Sequence, residues 1–145
     1  MDFFSSMRIS ASGMNAQQTR MNTISSNIAN AETTETEAGG PYRRKDPVFT
    51  AVADRENFGE ILAGKLDEHA QGVIVTEVHE DEKPARLVYN PKHPQANADG
   101  YVAMPNVNPV EEMANMIAAT RSYEANATAL NAAKSMAIKA LDIGK

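Results

Sequence analysis

Near the start of the chain a large apolar side chain returns at every seventh position: Met7, Met14, Met21 and Ile28. Phe3, Phe4, Ala11, Ile24 and Ala31 flank that line, and Ser, Thr, Asn and Gln fill the places between. A seven-residue apolar period predicts a helix with a coiled-coil-like stripe. It is expected over residues 2–31, with Asp2 as its N-cap. The other end of the chain carries a second helical pattern over 109–143. Met113, Met116, Tyr123, Ala127, Leu130, Ala137 and Leu141 form one stripe there, and Val110, Ala114, Ile117 and Ile138 form part of another. Asn108-Pro109-Val110-Glu111 places Asn at N-cap, Pro at N1 and Glu at N3, a helix start resembling a capping box. Gly144 is a natural stop.

Between these ends the period changes. Pro47–Val52, Val73–Val78, Arg86–Tyr89 and Tyr101–Met104 are short runs rich in β-branched and aromatic residues, and they predict strands. Gly39-Gly40-Pro41 and Asp99-Gly100 signal turns. Phe58, Ile61, Leu62 and Leu66 have helical spacing, which predicts a short helix within 56–70. The expected organisation is α+β. Residues 1–31 and 105–145 carry the two long helices, and residues 32–104 form a small β-rich middle.

Composition sharpens this division. All seven prolines lie between Pro41 and Pro109. The net charge of −5 is concentrated in the middle, which carries −6, while the first segment carries +1 and the last is neutral. An acidic chain of this kind is not a nucleic-acid binder. With no cysteine, disulfides and thiolate metal sites are excluded. No stretch approaches the ~20 apolar residues of a membrane helix, so no membrane insertion is expected. The first residues lack the basic and apolar regions of a cleavable secretory signal.

Candidate chemistry is sparse. His69, His79 and His93 stand apart, His79 in an acidic run that reads as solvated loop and His93 between prolines as a turn residue. There is no Gly-x-Ser-x-Gly elbow and no phosphate-binding glycine loop. Glu111 and Glu112 sit where the helix dipole favours carboxylates. No catalytic residue, cofactor or metal is expected. Interaction surfaces are expected instead. The apolar content of the two helices falls short of the entropy lost in ordering them as an isolated hairpin. A solvated two-helix coiled coil carries Glu and Lys beside its seam, whereas these helices carry Ser, Asn, Gln, Thr and Ala. Such helices suit contacts on several sides. The candidate interface comprises Met7, Met14, Met21, Ile24, Asn27, Ile28 and Asn30, with Met113, Met116, Ile117, Tyr123, Leu130, Ile138 and Leu141. Methionine adapts to non-identical neighbours. The basic cluster Arg43-Arg44-Lys45 is a candidate contact with an acidic patch such as 80–82 of a neighbouring subunit.

Ser25-Ser26-Asn27-Ile28-Ala29-Asn30-Ala31, followed by Thr33-Thr34, resembles the N-terminal signature of the flagellar axial proteins, the family of rod, hook and hook-associated subunits. The Gly-Tyr-Lys-like turn expected next is replaced by Gly39-Gly40-Pro41-Tyr42-Arg43-Arg44, which resembles the proximal-rod members. Tyr89-Asn90-Pro91-Lys92-His93-Pro94, Asp99 to Asn108, and Arg121-Ser122-Tyr123-Glu124-Ala125-Asn126 resemble the same members. The likeness covers nearly the whole chain and is weakest over 55–71. It implies a structural subunit of the bacterial flagellar basal body, with residues 1–31 and 105–145 paired as a coiled-coil-like axial core and residues 32–104 as a small outer domain, polymerising through its terminal helices with copies of itself and other rod proteins and passing torque from motor to hook. It also implies passage through the flagellar type III export apparatus without a cleaved signal, and a final place in the periplasmic part of the rod.

Overall fold

The computed structural model describes residues 3–53 and 71–143. The N-cap expected at Asp2, the short helix expected within 56–70 and the stop at Gly144 lie outside the described residues. The element order is α1 (Phe3–Ala29), β1 (Lys45–Ala53), β2 (Gln71–Glu80), β3 (Arg86–Tyr89), β4 (Tyr101–Met104) and α2 (Pro109–Ile143). The architecture is α+β, with long terminal helices around a middle of antiparallel strands.

The helices run antiparallel. Asn27 meets Glu112, Met21 meets Thr120, and Gly13 meets Asn126, so each step back along α1 is matched by a step forward along α2. Their seam mixes small side chains with a few larger ones. Ser10, Gln17, Ile24 and Ala31 recur every seventh residue, each three places after a member of the methionine line. Of these, Ser10, Ile24 and Ala31 are buried, whereas Met7, Met14, Met21 and Ile28 are half-buried. On α2, Glu112, Ala119, Asn126 and Ala133 recur with the same period, and Glu112, Ala119 and Ala133 are buried. Ser10, Ile24 and Ala31 are therefore buried more deeply than the methionines, although Met21 itself meets Thr120 across the seam. The approach is tightest at Gly13, where a Cβ would stand 2.9 Å from Asn126 Nδ2.

Each terminus has a local cause. Asn108 Oδ1 accepts from Val110 N at 3.1 Å and starts α2, as the N-cap reading predicts. α1 ends two residues before the expected boundary. Asn30 turns its side chain back on the Ser26 carbonyl (2.9 Å), and Ala31 N bonds to Ile28 O instead of continuing the α-helical pattern.

β1 and β2 pair antiparallel from Lys45↔Glu80 to Ala53↔Gln71 and form a long ribbon laid along α1. The ribbon is anchored at both ends: Lys45 is tied to Asn27, and Val73 N donates to Ser12 Oγ at 3.1 Å. The lengths match. Fifteen helical residues from Ser12 to Asn27 span ~22 Å, and six strand steps from Lys45 to Ala51, the partner of Val73, span ~20 Å. A bulge between Val48 and Phe49 leaves Thr76 without a ladder partner, and its hydroxyl bonds to Val48 O at 3.3 Å. β3 and β4 make a second hairpin, paired from Arg86↔Met104 to Tyr89↔Tyr101. Gly100 turns it with φ +81°, a conformation that suits glycine, and a Cβ there would meet the Tyr89 ring at 2.9 Å. His93 serves as the expected turn residue, its Nδ1 accepting from Gln95 N.

Candidate functional site

The most ordered chemistry in the molecule lies where α1, the start of β1 and the first turn of α2 converge. Asn27 and Glu112 are 0 % and 1 % exposed there, an unusual depth for an amide and a carboxylate. The Asn27 side chain makes every hydrogen bond it can. Its Nδ2 donates to Lys45 O (2.8 Å) and to Glu112 Oε2 (2.9 Å), and its Oδ1 accepts from Lys45 N (2.9 Å) and Tyr42 OH (3.0 Å). Two donors face two acceptors on each side, so this amide orientation is fixed by its surroundings. Glu112 completes the set by accepting from Arg44 Nε at 2.9 Å, and Arg44 reaches Asp46 at 3.1 Å. Burial opposes the charge on Arg44, but the hydrogen bonds and charges of Asp46 and Glu112 outweigh it and raise its pKa above the usual guanidinium value. A buried charge with one partner missing is costly, so this clasp is stable as a complete unit.

The local sequence explains how the clasp forms. Ser26 O holds Asn30, Thr33 Oγ1 bonds to Asn30 Oδ1, and Thr33 O receives Tyr42 N at 3.0 Å. Between these points Thr36 and Gly40 close a turn, with Gly39 and Gly40 at φ +84° and +78°. The Ser25–Thr33 run thus stops the helix and folds the chain back, which places Tyr42, Arg44 and Lys45 around Asn27. Beside the clasp lies a polar cleft of about 380 Å³, lined among others by Arg20, Lys45, Asp81, Lys83 and Glu111. The Asp81 carboxylate is held below its usual pKa, first by the hydrogen bond from Lys83 N and then by the Lys83 charge.

The structure divides the expected interface residues. Ile24 and Asn27 are buried within the chain, and Asn30 spends its side chain on the end of α1. Met7, Met14, Met21, Ile28, Met116, Tyr123 and Leu130 are half-buried beside the seam. Met113, Ile117, Ile138 and Leu141 are exposed, together with Val110, which is 70 % exposed. The basic cluster is engaged within its own chain. Arg44 is taken by Glu112 and Asp46, and Lys45 Nζ pairs at 3.5 Å with Glu80 of its own chain, since the ribbon returns the acidic run to the cluster. Arg43 alone of the three stays exposed. Glu112 is the functional residue that sequence reasoning missed. Its signal was a carboxylate starting the 112–119–126–133 series on the contact side of α2.

These features define an axial, helix-terminated structural subunit, and comparison with known proteins agrees. Residues 7–35 match the family described as flagella basal body rod protein, and residues 98–143 match the family described as flagellar basal body rod FlgEFG protein C-terminal. The first match contains Asn27 and the second contains Glu112. Among individual proteins, the chain is 45 % identical to the flagellar basal-body rod protein FlgC of Bacillus subtilis, with 100 % of both chains covered. It is 43 % identical to FlgC of Borreliella burgdorferi over 99 % of this chain and 98 % of that one. It is 42 % identical to FlgC of Salmonella typhimurium over 94 % of each. The chain belongs to the FlgC family of flagellar basal-body rod proteins, and it is a structural subunit of the rod.

Proposed function

We propose that this rod subunit assembles through the outer faces of its terminal helices and transmits torque through them from motor to hook. One observation carries the reading: Val110, Met113 and Ile117 form an apolar stripe at helical spacing on α2, each at least half exposed. These large side chains lie off the seam inside the chain and are left for neighbours. Burying the remaining exposed part of each offers about 1 kcal/mol. Such increments become a firm contact when many subunits repeat them. The half-buried Met7, Met14 and Met21 add adaptable surface for copies of the chain and for other rod proteins. Within each subunit the clasp ties both helices to the ribbon, so that load on one element reaches the others.

The role is structural, not enzymatic. Two carboxylates of the polar cleft, Asp46 and Asp81, are paired with Arg44 and Lys83, and its lining offers no Ser, Thr, Cys or His nucleophile or base. The subunit reaches the periplasmic rod through the flagellar type III export apparatus with its N-terminal segment uncleaved, a reading supported by family membership and by the charge-poor α1. Ile117→Asp tests the assembly role. The residue is 57 % exposed, so the monomer should keep its unfolding midpoint while the protein disappears from isolated basal bodies and motility is lost. Normal incorporation of that variant would refute the assembly surface.

A further inference from the structure

Among the described residues, a second surface without a partner lies at the opposite end of the helix pair from the clasp. Extrapolating the antiparallel register from Gly13 and Asn126 places Phe3 opposite about residue 136 of α2, so the last ~7 residues of α2, ~10 Å, run past the start of α1. There the contact side of α2 continues into Leu141, which is 74 % exposed. Phe4, Met136 and Ile138 are exposed beside it. Among the described residues, exposed Lys134, Lys139 and Asp142 lie near this apolar tip, two positive charges to one negative. The opposite chemistry occurs on the ribbon. Its register puts Asp46, Val48 and Thr50 on one face with His79, Glu77 and Ile74, an exposed surface with an apolar centre, the Glu77 carboxylate and the Asp46 carboxylate that also holds Arg44.

We propose that the basic apolar tip of one copy docks on the acidic face of the β1–β2 ribbon of a second copy. The contact joins unlike surfaces, so it repeats head to tail instead of closing into a two-fold dimer. It also covers the exposed apolar side chains of a two-stranded ribbon, which is marginal without packing. The proposal rests on the rod-subunit reading and adds to it a specific pair of surfaces.

The chain has no cysteine, so single-cysteine variants Leu141→Cys and Ile74→Cys of the full-length protein can be mixed under mild oxidation without further changes. The expected product is a disulfide between positions 141 and 74, identified by peptide mass and formed faster than 141–141 or 74–74 links. Adding Lys134→Glu and Lys139→Glu to the tip variant should slow it about tenfold, and Glu77→Lys on the ribbon variant should recover part of that loss. These side chains are exposed, and circular dichroism checks that each variant is folded. Links that are mainly 141–141, or a 141–74 rate indifferent to both charge changes, would overturn the proposal. So would capture of a different rod protein in preference to a second copy when the tip variant is cross-linked in cells. Labelled wild-type protein in purified basal bodies is scored separately: its absence would defeat the rod-subunit reading, and its presence alongside failed cross-linking would defeat only the docking.

Discussion

Replacing Asn27 tests whether the clasp holds the two helices and the ribbon together. Asn27→Ala removes all four hydrogen bonds of the amide. Glu112 keeps Arg44, and Tyr42 OH keeps Ser26 Oγ at 3.3 Å, but Lys45 loses the partners of both N and O described at this site. At about 1–3 kcal/mol for each buried group left unpaired, the loss is about 2–6 kcal/mol. Asn27→Asp preserves shape and fails for another reason. It keeps the acceptor for Lys45 N and Tyr42 but sets a second carboxylate oxygen against Lys45 O and Glu112 Oε2, 2.8 and 2.9 Å from the present Nδ2. Two carboxylates at that distance cannot both ionise cheaply, so the folded variant takes up a proton that the unfolded chain releases. Its destabilisation should therefore shrink as pH falls from 7 towards 4, whereas that of Asn27→Ala relative to wild type should change much less. Glu112→Gln added to Asn27→Asp should restore part of the loss by supplying a donor. Urea unfolding followed by far-ultraviolet circular dichroism measures each difference, with exposed Asn22→Asp as control. A cost below about 0.5 kcal/mol for Asn27→Ala, or an Asn27→Asp cost independent of pH, would refute the reasoning.

Other expectations follow from single contacts. Gln17 Oε1 is buried at the seam without a hydrogen-bond partner among the described residues, so Gln17→Met should raise stability by about 1 kcal/mol in the same urea assay. Gly13→Leu should weaken the helix pair through its collision with Asn126, while Gly13→Ala combined with Asn126→Ala should gain up to about 1 kcal/mol of helix propensity, read as a rise in melting temperature. Asp81, whose folded pKa is lowered, contributes stability that is full above its unfolded value and lost as pH falls through the folded one. A carbon-detected titration should place its midpoint below 3.8, and Lys83→Ala should move it back towards that value by removing the cation.

The helices and strands were legible because each has a strong local period. α2 was expected over 109–143 and spans Pro109–Ile143, and β3 and β4 coincide with the expected runs. α1 fell two residues short because Asn30 prefers the Ser26 carbonyl, a side-chain choice that a hydrophobic period does not encode. The methionine line drew attention as the apolar stripe, yet the buried line lies three residues on, at Ser10, Gln17, Ile24 and Ala31. Hydrophobicity ranks methionine above serine and alanine, whereas close helix contact ranks small volume first. Asn27 was read as part of an interface between subunits because its partners within the chain, Lys45 and Glu112, are distant in sequence. Arg44 and Lys45 were read outward for the same reason: pairing Lys45 with Glu80 needs the register of a ribbon whose strands are far apart in the chain. The resemblance identified the Ser25–Thr33 run, and the geometry adds what the run does: it ends the helix, turns the chain and seats Asn27 between Lys45 and Glu112.

Electron cryomicroscopy of isolated basal bodies, at a resolution that shows side chains, tests the central claim most directly. In the assembled rod, Val110, Met113 and Ile117 should be buried against neighbouring subunits while Asn27, Glu112 and Arg44 remain joined within one chain. A rod in which that stripe faces solvent, or in which the helices have parted from the clasp to pair between chains, would contradict the account.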